Sequence, residues 1–252
     1  MDNLLYNQKN AYELLDEKEI KVACDYCEGY KKYLDAAKTE RLAVKEAVKI
    51  AESEGFSEFC RGKVYKSGDK IYKTVRSKAL MLAVIGKEPI ENGMNIAGAH
   101  VDSPRLDLKQ VPMYEDSEIA YFKTHYYGGI KKYQWVTVPL ALYGVVSMLD
   151  GSLIEVSIGD DESDPVFVIS DLLPHLSADQ NKKSLSEGIS GEALNIVIGS
   201  APTGNGEKDK VKLAVLDILN KKYGITEEDF QPFMNIKSVA TVFAMLFTWC
   251  IT

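Results

Sequence analysis

The segment Gly98-Ala99-His100-Val101-Asp102-Ser103-Pro104 places an imidazole and a carboxylate two residues apart, directly after an apolar run. That run, Met94–Ala99, is short and bounded by a glycine and a Ser-Pro turn, so it predicts a buried strand. His100 and Asp102 would then lie at the carboxyl end of the strand, where open α/β sheets bind ligands. Side chains two residues apart on extended backbone point the same way, so Asp102 would orient His100 or act beside a bound ion.

Spacing alone leaves two interpretations of this His-x-Asp pair open. In the first, His100 is a metal ligand and Asp102 is the carboxylate beside the ion. In the second, the two side chains form a polar pair that closes the end of a strand, which is a common place for histidine. The rest of the sequence has to decide between a metal site and a structural contact.

The composition is that of an ordinary globular protein. The chain has 252 residues, of which 46% are hydrophobic and 27% charged, and we expect two modest domains. The formal net charge of −7 argues against a nucleic-acid partner, because phosphate binding needs clustered Lys and Arg. The first ten residues lack the basic and apolar regions of a signal peptide, so we expect a cytoplasmic protein with reduced cysteines and no membrane partner.

Cys24 and Cys27 form a C-x-x-C pair, which raises the possibility of a zinc or redox site. Both thiols fall on the apolar face of a predicted helix, and no second C-x-x-C completes a structural zinc site. No thioredoxin-like strand precedes the pair. We therefore expect these thiols to pack in the core.

The pattern of apolar residues before Pro104 predicts helices followed by strands. Two amphipathic helices are expected at Lys18–Ala37 and Thr39–Glu54, the second capped by Thr39. Lys70–Arg76 alternates like a half-buried strand, and the wholly apolar Ala79–Ile85 predicts a central strand that forms a hairpin with it. With Met94–Ala99 as a third strand, the fold class is a layered α/β domain.

After Pro104 the sequence is β-rich, with short alternating apolar runs separated by turns. This pattern predicts an inserted β domain, and helical spacing returns only in Lys208–Lys222. The last fifteen residues, Ser238–Thr252, carry no charge. They are too few to span a membrane comfortably. They form either a buried strand or helix or, as we favour, a segment exposed because its partner is absent.

Three motifs in order resemble the M18 family of aminopeptidases, the aspartyl aminopeptidase group. They are Ala99–Lys109, Lys123–Ile130 and Asp171–Leu176, within a resemblance that runs from about residue 10 to about Phe230. The resemblance implies part of an α/β zinc-metallopeptidase sandwich interrupted by a β-rich dimerisation domain, in subunits that associate into large particles. It therefore assigns residues 1–104 to the peptidase domain and 105–232 to the dimerisation domain, with 233–252 as an atypical apolar tail where the peptidase domain should resume.

The resemblance also implies chemistry for the first motif. Family members use two zinc ions, bridged by a carboxylate, to activate the water that attacks the N-terminal peptide bond. Carried over by motif, His100 is a metal ligand and Asp102 is the catalytic carboxylate beside it. The remaining metal-binding carboxylates, the catalytic Glu and a final His belong to a half that this sequence does not contain. Glu227-Glu228 does not replace them, because acidic residues in that position are typical of a helix start.

The sequence has two other histidines, and each has two interpretations. His125, beside Tyr126-Tyr127 and two glycines, is a candidate substrate-binding residue that would reach a neighbouring subunit, or else it stabilises a loop. His175 follows Pro174 in an apolar context, which favours a structural hydrogen bond over catalysis.

We therefore predict a zinc aminopeptidase of M18 type that acts on peptides, self-associates, is apparently truncated and is inactive alone. The alternative is a non-catalytic assembly module or a gene fragment. A phosphate-binding enzyme or a serine hydrolase is disfavoured, because the sequence has neither a P-loop nor a G-x-S-x-G motif.

Overall fold

The chain divides into two compact units, Met1–Asp102 and Ser103–Thr252. The structure is a computed structural model that describes residues 4–148, 150–203, 208–230 and 242–247. Its fold is mixed α/β, which confirms the predicted class. Within those ranges no helix is both long and apolar enough to cross a membrane. The assignment of residues 105–232 to a dimerisation domain, between parts of a peptidase domain, stays a prediction.

The first unit begins with three helices, whose starts follow the capping residues. They are α1 (Ala11–Leu14), α2 (Glu17–Ala36) and α3 (Glu40–Ser53). Asp16 and Glu19 form a capping box, in which each carboxylate accepts a hydrogen bond from the other residue's backbone N–H. Thr39 caps α3 by accepting from the backbone N–H three residues on. The predicted bounds of α2 and α3 are therefore confirmed to within a residue.

The first unit also holds a small sheet, and one prediction for it is wrong. Its strands are β1 (Ser57–Glu58), β2 (Lys70–Val75) and β3 (Ala79–Val84). β2 and β3 form the predicted antiparallel hairpin, and β1 pairs with β2 in parallel. Ala79–Ile85 is not a central strand, because β3 lies at the edge of the described sheet and most of its side chains are exposed. A wholly apolar run predicts burial only where a neighbouring element covers it.

The predicted strand Met94–Ala99 is also wrong. Residues 93–104 have no regular secondary structure, and the Met94 and Ile96 side chains are exposed. His100 and Asp102 therefore do not lie at the end of a strand. The physical reason is the same as for β3, since no strand in the described residues pairs with this apolar run.

The expected burial of Cys24 and Cys27 is wrong as well. Both thiols are free and exposed on α2. No residue of α2 is buried, although its apolar side chains follow helical spacing. α2 is joined to α3 by the Tyr33 hydroxyl, which donates to the Ala43 carbonyl at 3.4 Å.

The second unit is built on a six-stranded sheet, which agrees with the predicted β-rich stretch. Its strands in chain order are β4 (Arg105–Asp116), β5 (Ile119–Tyr127), β6 (Leu140–Ser147), β7 (Leu153–Ile158), β8 (Ile196–Gly199) and β9 (Val242–Phe247). They are arranged in the order β7-β6-β9-β4-β5-β8, with antiparallel pairing between neighbours. Gly151 takes a φ of 86° in the turn of the β6–β7 hairpin, as its Asp-Gly sequence predicts.

β9 corrects the favoured interpretation of the apolar end of the chain. Its backbone pairs with β6 on one side and with β4 on the other, so it lies inside the sheet. Val242–Phe247 is therefore a paired strand, which is the alternative to an exposed segment. The rest of Ser238–Thr252 lies outside the described residues.

The helix α4 (Lys210–Tyr223) ends at Gly224, whose φ of 71° is the left-handed conformation that closes many helices. It confirms the predicted helix Lys208–Lys222. Its first turn is capped from another element, because the Glu115 carboxylate of β4 accepts hydrogen bonds from the backbone N–H groups of Val211 and Lys212, both at 2.9 Å.

The hydrophobic core lies in the second unit. Every residue of the main buried cluster in the described chain falls between Leu106 and Phe230. Its largest fully buried side chains are Phe122, Leu106, Leu140, Leu142, Ile169, Leu194, Ile196 and Ile225. The burial of apolar area that stabilises the fold is therefore concentrated in one of the two units.

Candidate metal centre

His100 and Asp102 contact each other although neither lies on a strand. The His100 Nδ1 is 2.9 Å from the Asp102 carbonyl oxygen and 3.2 Å from Asp102 Oδ1. A proton on Nδ1 serves these acceptors, and that tautomer leaves the lone pair on Nε2 for a ligand. The His100 side chain is 83% exposed, so the ring is open to an incoming ion or polypeptide.

The residues present do not fit a complete catalytic zinc site. Catalytic zinc is held by about three protein ligands. In the parts of the chain that the structure describes, no group of three or more His, Cys, Asp or Glu side chains is placed to hold a metal ion. One imidazole with its adjacent carboxylate fits only a fraction of such a site, and no zinc-dependent step follows from these two residues.

Arg105 anchors the strand that follows the His-x-Asp pair. Its guanidinium is buried, and Nε donates to Asp107 Oδ1 at 2.7 Å. The same guanidinium lies 4.1 Å from the centre of the Tyr127 ring, directly across the β4–β5 ladder. A buried charge needs this kind of pairing, and the planar guanidinium fits both a carboxylate and an aromatic face.

His125 lies on β5, exposed and opposite Asp107 of β4. Its ring stacks on Tyr126, with centroids 5.6 Å apart. Tyr126 in turn lies against Gly191, where an added Cβ would come within 2.7 Å of the ring. The strand that carries His125 is thus fitted closely to the short 3₁₀ helix at Gly191–Ala193.

Lys109 and Glu192 form an ion pair on the surface of the same unit. The Lys109 Nζ is 2.6 Å from Glu192 Oε2. This hydrogen bond and the charge of Lys109 lower the pKa of the Glu192 carboxyl, and the charge of His125 adds a smaller effect in the same direction. A cation, a carboxylate and an imidazole therefore share one neighbourhood beside β5.

The other candidates from the sequence are placed elsewhere in the second unit. His175 is exposed in a turn. Glu227 forms an ion pair with Lys212 and Glu228 is exposed, both in a 3₁₀ helix. Among the described contacts, His100 meets Asp102. None of these contacts joins His125 to Glu227 or Glu228.

A family model described as aminopeptidase I zinc metalloprotease (M18) matches residues 33–245. The chain belongs to the M18 family of aminopeptidases. The match to the M18 model continues past Phe230, where the sequence resemblance was expected to end. A probable M18 family aminopeptidase 1 from Clostridium acetobutylicum is 49% identical over 234 residues, which is 91% of this chain and 50% of that protein. The chain thus spans about half the length of the curated M18 relatives it matches.

Solved M18 structures match the same extent. The crystal structure of the M18 aminopeptidase from Thermotoga maritima superposes with a TM-score of 0.86 at 39% identity, over 97% of this chain and 51% of that one. A yeast mApe1 dodecamer matches with a TM-score of 0.61 at 16% identity, over 89% of this chain and 48% of that one. The second likeness concerns the M18 fold alone.

Sequence reasoning missed the contacts of Arg105 and Glu192. The spacing of Arg105, Asp107 and Lys109 by two residues already placed three charges on one face of a strand, which was a usable signal. Glu192 gave no such signal, because its partner Lys109 is 83 residues away in the chain.

Proposed function

We propose that the chain is the N-terminal part of an M18 zinc aminopeptidase that removes N-terminal residues from peptides, and that it is inactive by itself. The observation that carries the proposal is the agreement of two facts. The chain corresponds to half of each relative, and its described residues contain the His100–Asp102 pair without the further donors that catalytic zinc needs.

Within this proposal, His100 binds one of two zinc ions through Nε2, and Asp102 is the catalytic carboxylate beside it. The hydrogen bond from Nδ1 to Asp102 supports these roles, because metal-bound histidines usually donate their other N–H to an acceptor that fixes the ring. His125 is proposed to bind substrate, supported by its exposure beside Lys109 and Glu192.

Self-association and location are also proposals. The yeast mApe1 neighbour was solved as a dodecamer, which supports self-association, and we propose the β-rich unit as the part that makes the contact. Cys24, Cys27 and Cys60 are free and exposed, which supports a reducing compartment such as the cytoplasm.

Release of a chromogenic amine from aminoacyl substrates, with added zinc or cobalt, tests activity. We expect no turnover above the metal-only blank, because two donors do not retain and position a catalytic ion. Metal-dependent turnover by this chain alone, lost in His100→Ala, would show that these residues form a working zinc site without the other half.

Zinc binding tests the role of His100 without relying on activity. In a calorimetric zinc titration of the chain with Cys24 and Cys27 replaced by Ser, His100→Ala should weaken zinc binding by about tenfold or more, since a protein ligand is removed. His175→Ala is the matched control, because it deletes another exposed imidazole, from a turn, and should leave the titration unchanged. Equal effects of the two substitutions would contradict the assignment.

The second candidate function is a non-catalytic assembly module. The position of the whole core cluster in the second unit favours it, because that unit has what a self-supporting domain needs. Light scattering separates the candidates: a stable dimer or larger particle with no peptidase activity favours the module.

A further inference from the structure

The C-x-x-C pair of the first unit has no part in the function proposed above. Cys24 and Cys27 are free and exposed, against the sequence-based expectation of burial. In the described chain no hydrogen bond reaches either sulfur. Free cysteine is among the residues most often buried, so two exposed thiols three positions apart call for a physical explanation.

The helix holds the two thiols at a fixed spacing. Cys24 and Cys27 lie in the middle of the 20-residue helix α2, whose start is fixed by the capping box of Asp16 and Glu19. Residues three apart on a helix are neighbours on its surface, with Cβ atoms about 5–6 Å apart. The pair is therefore ordered before any ligand arrives, which lowers the entropy lost on binding.

This spacing favours a shared ion over a disulfide. The Cβ atoms of a disulfide lie about 3.5–4.5 Å apart, so oxidation of the pair would distort the middle of α2. A metal ion between two sulfurs joins them over a longer path. Rotation of the two side chains about their Cα–Cβ bonds adjusts the separation of the sulfurs without changing the backbone. An intact helix therefore suits a bridging ion better than a direct S–S bond.

The number of donors selects the kind of ion. Within the described residues, no third His, Cys, Asp or Glu joins the two thiols in a group placed to hold a metal. Structural zinc is almost always held by four ligands, so two thiolates leave half of its shell to water. Thiolates are soft ligands that select copper(I), and two of them in a linear arrangement satisfy this monovalent ion.

The charges beside the pair suit such a complex. One copper(I) ion and two thiolates together carry a single negative charge. Lys31 lies one helical turn beyond Cys27, and its Nζ is 2.7 Å from Glu28 Oε1. The pKa of the Lys31 ammonium is raised mainly by its hydrogen bond and charge interaction with Glu28, and the charge of Cys27 adds a smaller effect. A cation therefore lies close to where the complex would be negative.

We propose that Cys24 and Cys27 form a two-coordinate site for a soft monovalent metal ion, for which copper(I) is the probe. Binding replaces the two S–H bonds by two S–Cu bonds, the two protons pass to solvent, and no electron is transferred. The reducing compartment proposed above keeps the thiols in the form that this site needs. The site requires neither His100 nor zinc.

Competition with a chromogenic chelator tests the site. The reduced full chain is titrated without oxygen into copper(I) bound by bicinchoninate, and the fall in absorbance of the chelate measures transfer to the protein. We expect one ion to be transferred per chain. Cys24→Ser and Cys27→Ser should each weaken copper binding about tenfold or more, because each removes one of the two ligands. Both positions are exposed, so circular dichroism of the variants should match that of the parent.

The matched control is Cys60→Ser. Cys60 is also free and exposed but has no second cysteine three residues away, so its loss should leave the transfer unchanged. Equal losses in the three variants would show that copper binds thiols regardless of their spacing, which overturns the site. Full transfer to Cys24→Ser overturns it as well.

Two further measurements separate the site from its rivals. Light scattering of the copper-loaded chain should show no dimer that the metal-free chain lacks, because the ion lies between two thiols of one helix. Dimers that hold one ion between two chains would overturn the proposal. His100→Ala should leave the transfer unchanged, and its loss in that variant would overturn the two-thiol assignment.

Discussion

At the scale of single residues, Asp164 shows how one carboxylate ties a turn to a helix. Its Oδ2 accepts from the Gly159 backbone N–H at 3.0 Å, and its Oδ1 lies 3.1 Å from the Lys222 Nζ of α4. The Gly159 hydrogen bond, followed by the contact with Lys222, lowers the pKa of the Asp164 carboxyl. The ionised form is therefore preferred in the folded protein.

Asp164→Asn should lower the free energy of unfolding at neutral pH by about 1 kcal/mol, because a charged hydrogen bond is weakened. A carboxyl group whose pKa is lower in the folded than in the unfolded state stabilises the fold at pH values above its unfolded pKa of about 4. This stabilisation is lost as the pH falls through the pKa of the folded state. Parent and variant should thus converge in acid. Urea unfolding between neutral and acid pH measures the difference. A constant difference would contradict the linkage, and Asp179→Asn, at an exposed carboxylate, is the control.

Gly159 offers a second residue-scale prediction. Its φ is 106°, and an added Cβ would lie 3.0 Å from Ala141 Cα on the neighbouring strand. Gly159→Ala should therefore destabilise the protein by about 2 kcal/mol or more. Gly151→Ala is a matched control, because its φ is 86° but nothing lies within 4 Å of the added Cβ. Thermal unfolding should give Gly159→Ala a melting temperature well below that of Gly151→Ala. Equal melting temperatures would show that the close approach of the added Cβ to Ala141 is unimportant.

At the scale of elements, helix caps could be predicted from the sequence, whereas the pairing and covering of strands by distant segments could not. Thr39 predicted the start of α3 because a cap acts within a few residues. Ala79–Ile85 was placed wrongly because its burial depends on a neighbour that apolar residues alone do not reveal. The same distinction applies to the candidate site: the contact between His100 and Asp102, two residues apart, was predictable from their spacing, whereas Glu192 meets Lys109 only through the fold.

The cap of α4 gives an element-scale prediction. Glu115 accepts hydrogen bonds from two backbone N–H groups of the first turn, where a negative charge also interacts favourably with the helix dipole. Glu115→Ala should cost about 1 kcal/mol of unfolding free energy, and Glu115→Gln should cost less because its amide oxygen still accepts. Chemical denaturation measures both. Glu162→Ala, at an exposed residue, should be near neutral, and a loss as large as that of Glu115→Ala would argue against capping.

At the scale of the whole molecule, the two units should differ in stability. The main core cluster of the described residues lies in the second unit, so that unit should resist opening, while the first unit should open at low free energy. Hydrogen exchange followed by mass spectrometry should show fast exchange of β2 and β3 amides and slow exchange in β5 and β6. Equal protection from exchange in the two sheets would contradict the expected difference in stability between the two units.

The position of β9 also has a consequence for synthesis on the ribosome. β4 and β6 are translated long before β9, yet each pairs with it across a separation that reaches from Leu106 to Met245. Until residues 242–247 leave the exit tunnel, both earlier strands have an unsatisfied edge in the middle of the future sheet. The nascent chain should therefore keep these two edges unpaired until residues 242–247 emerge, and it should complete this sheet only then.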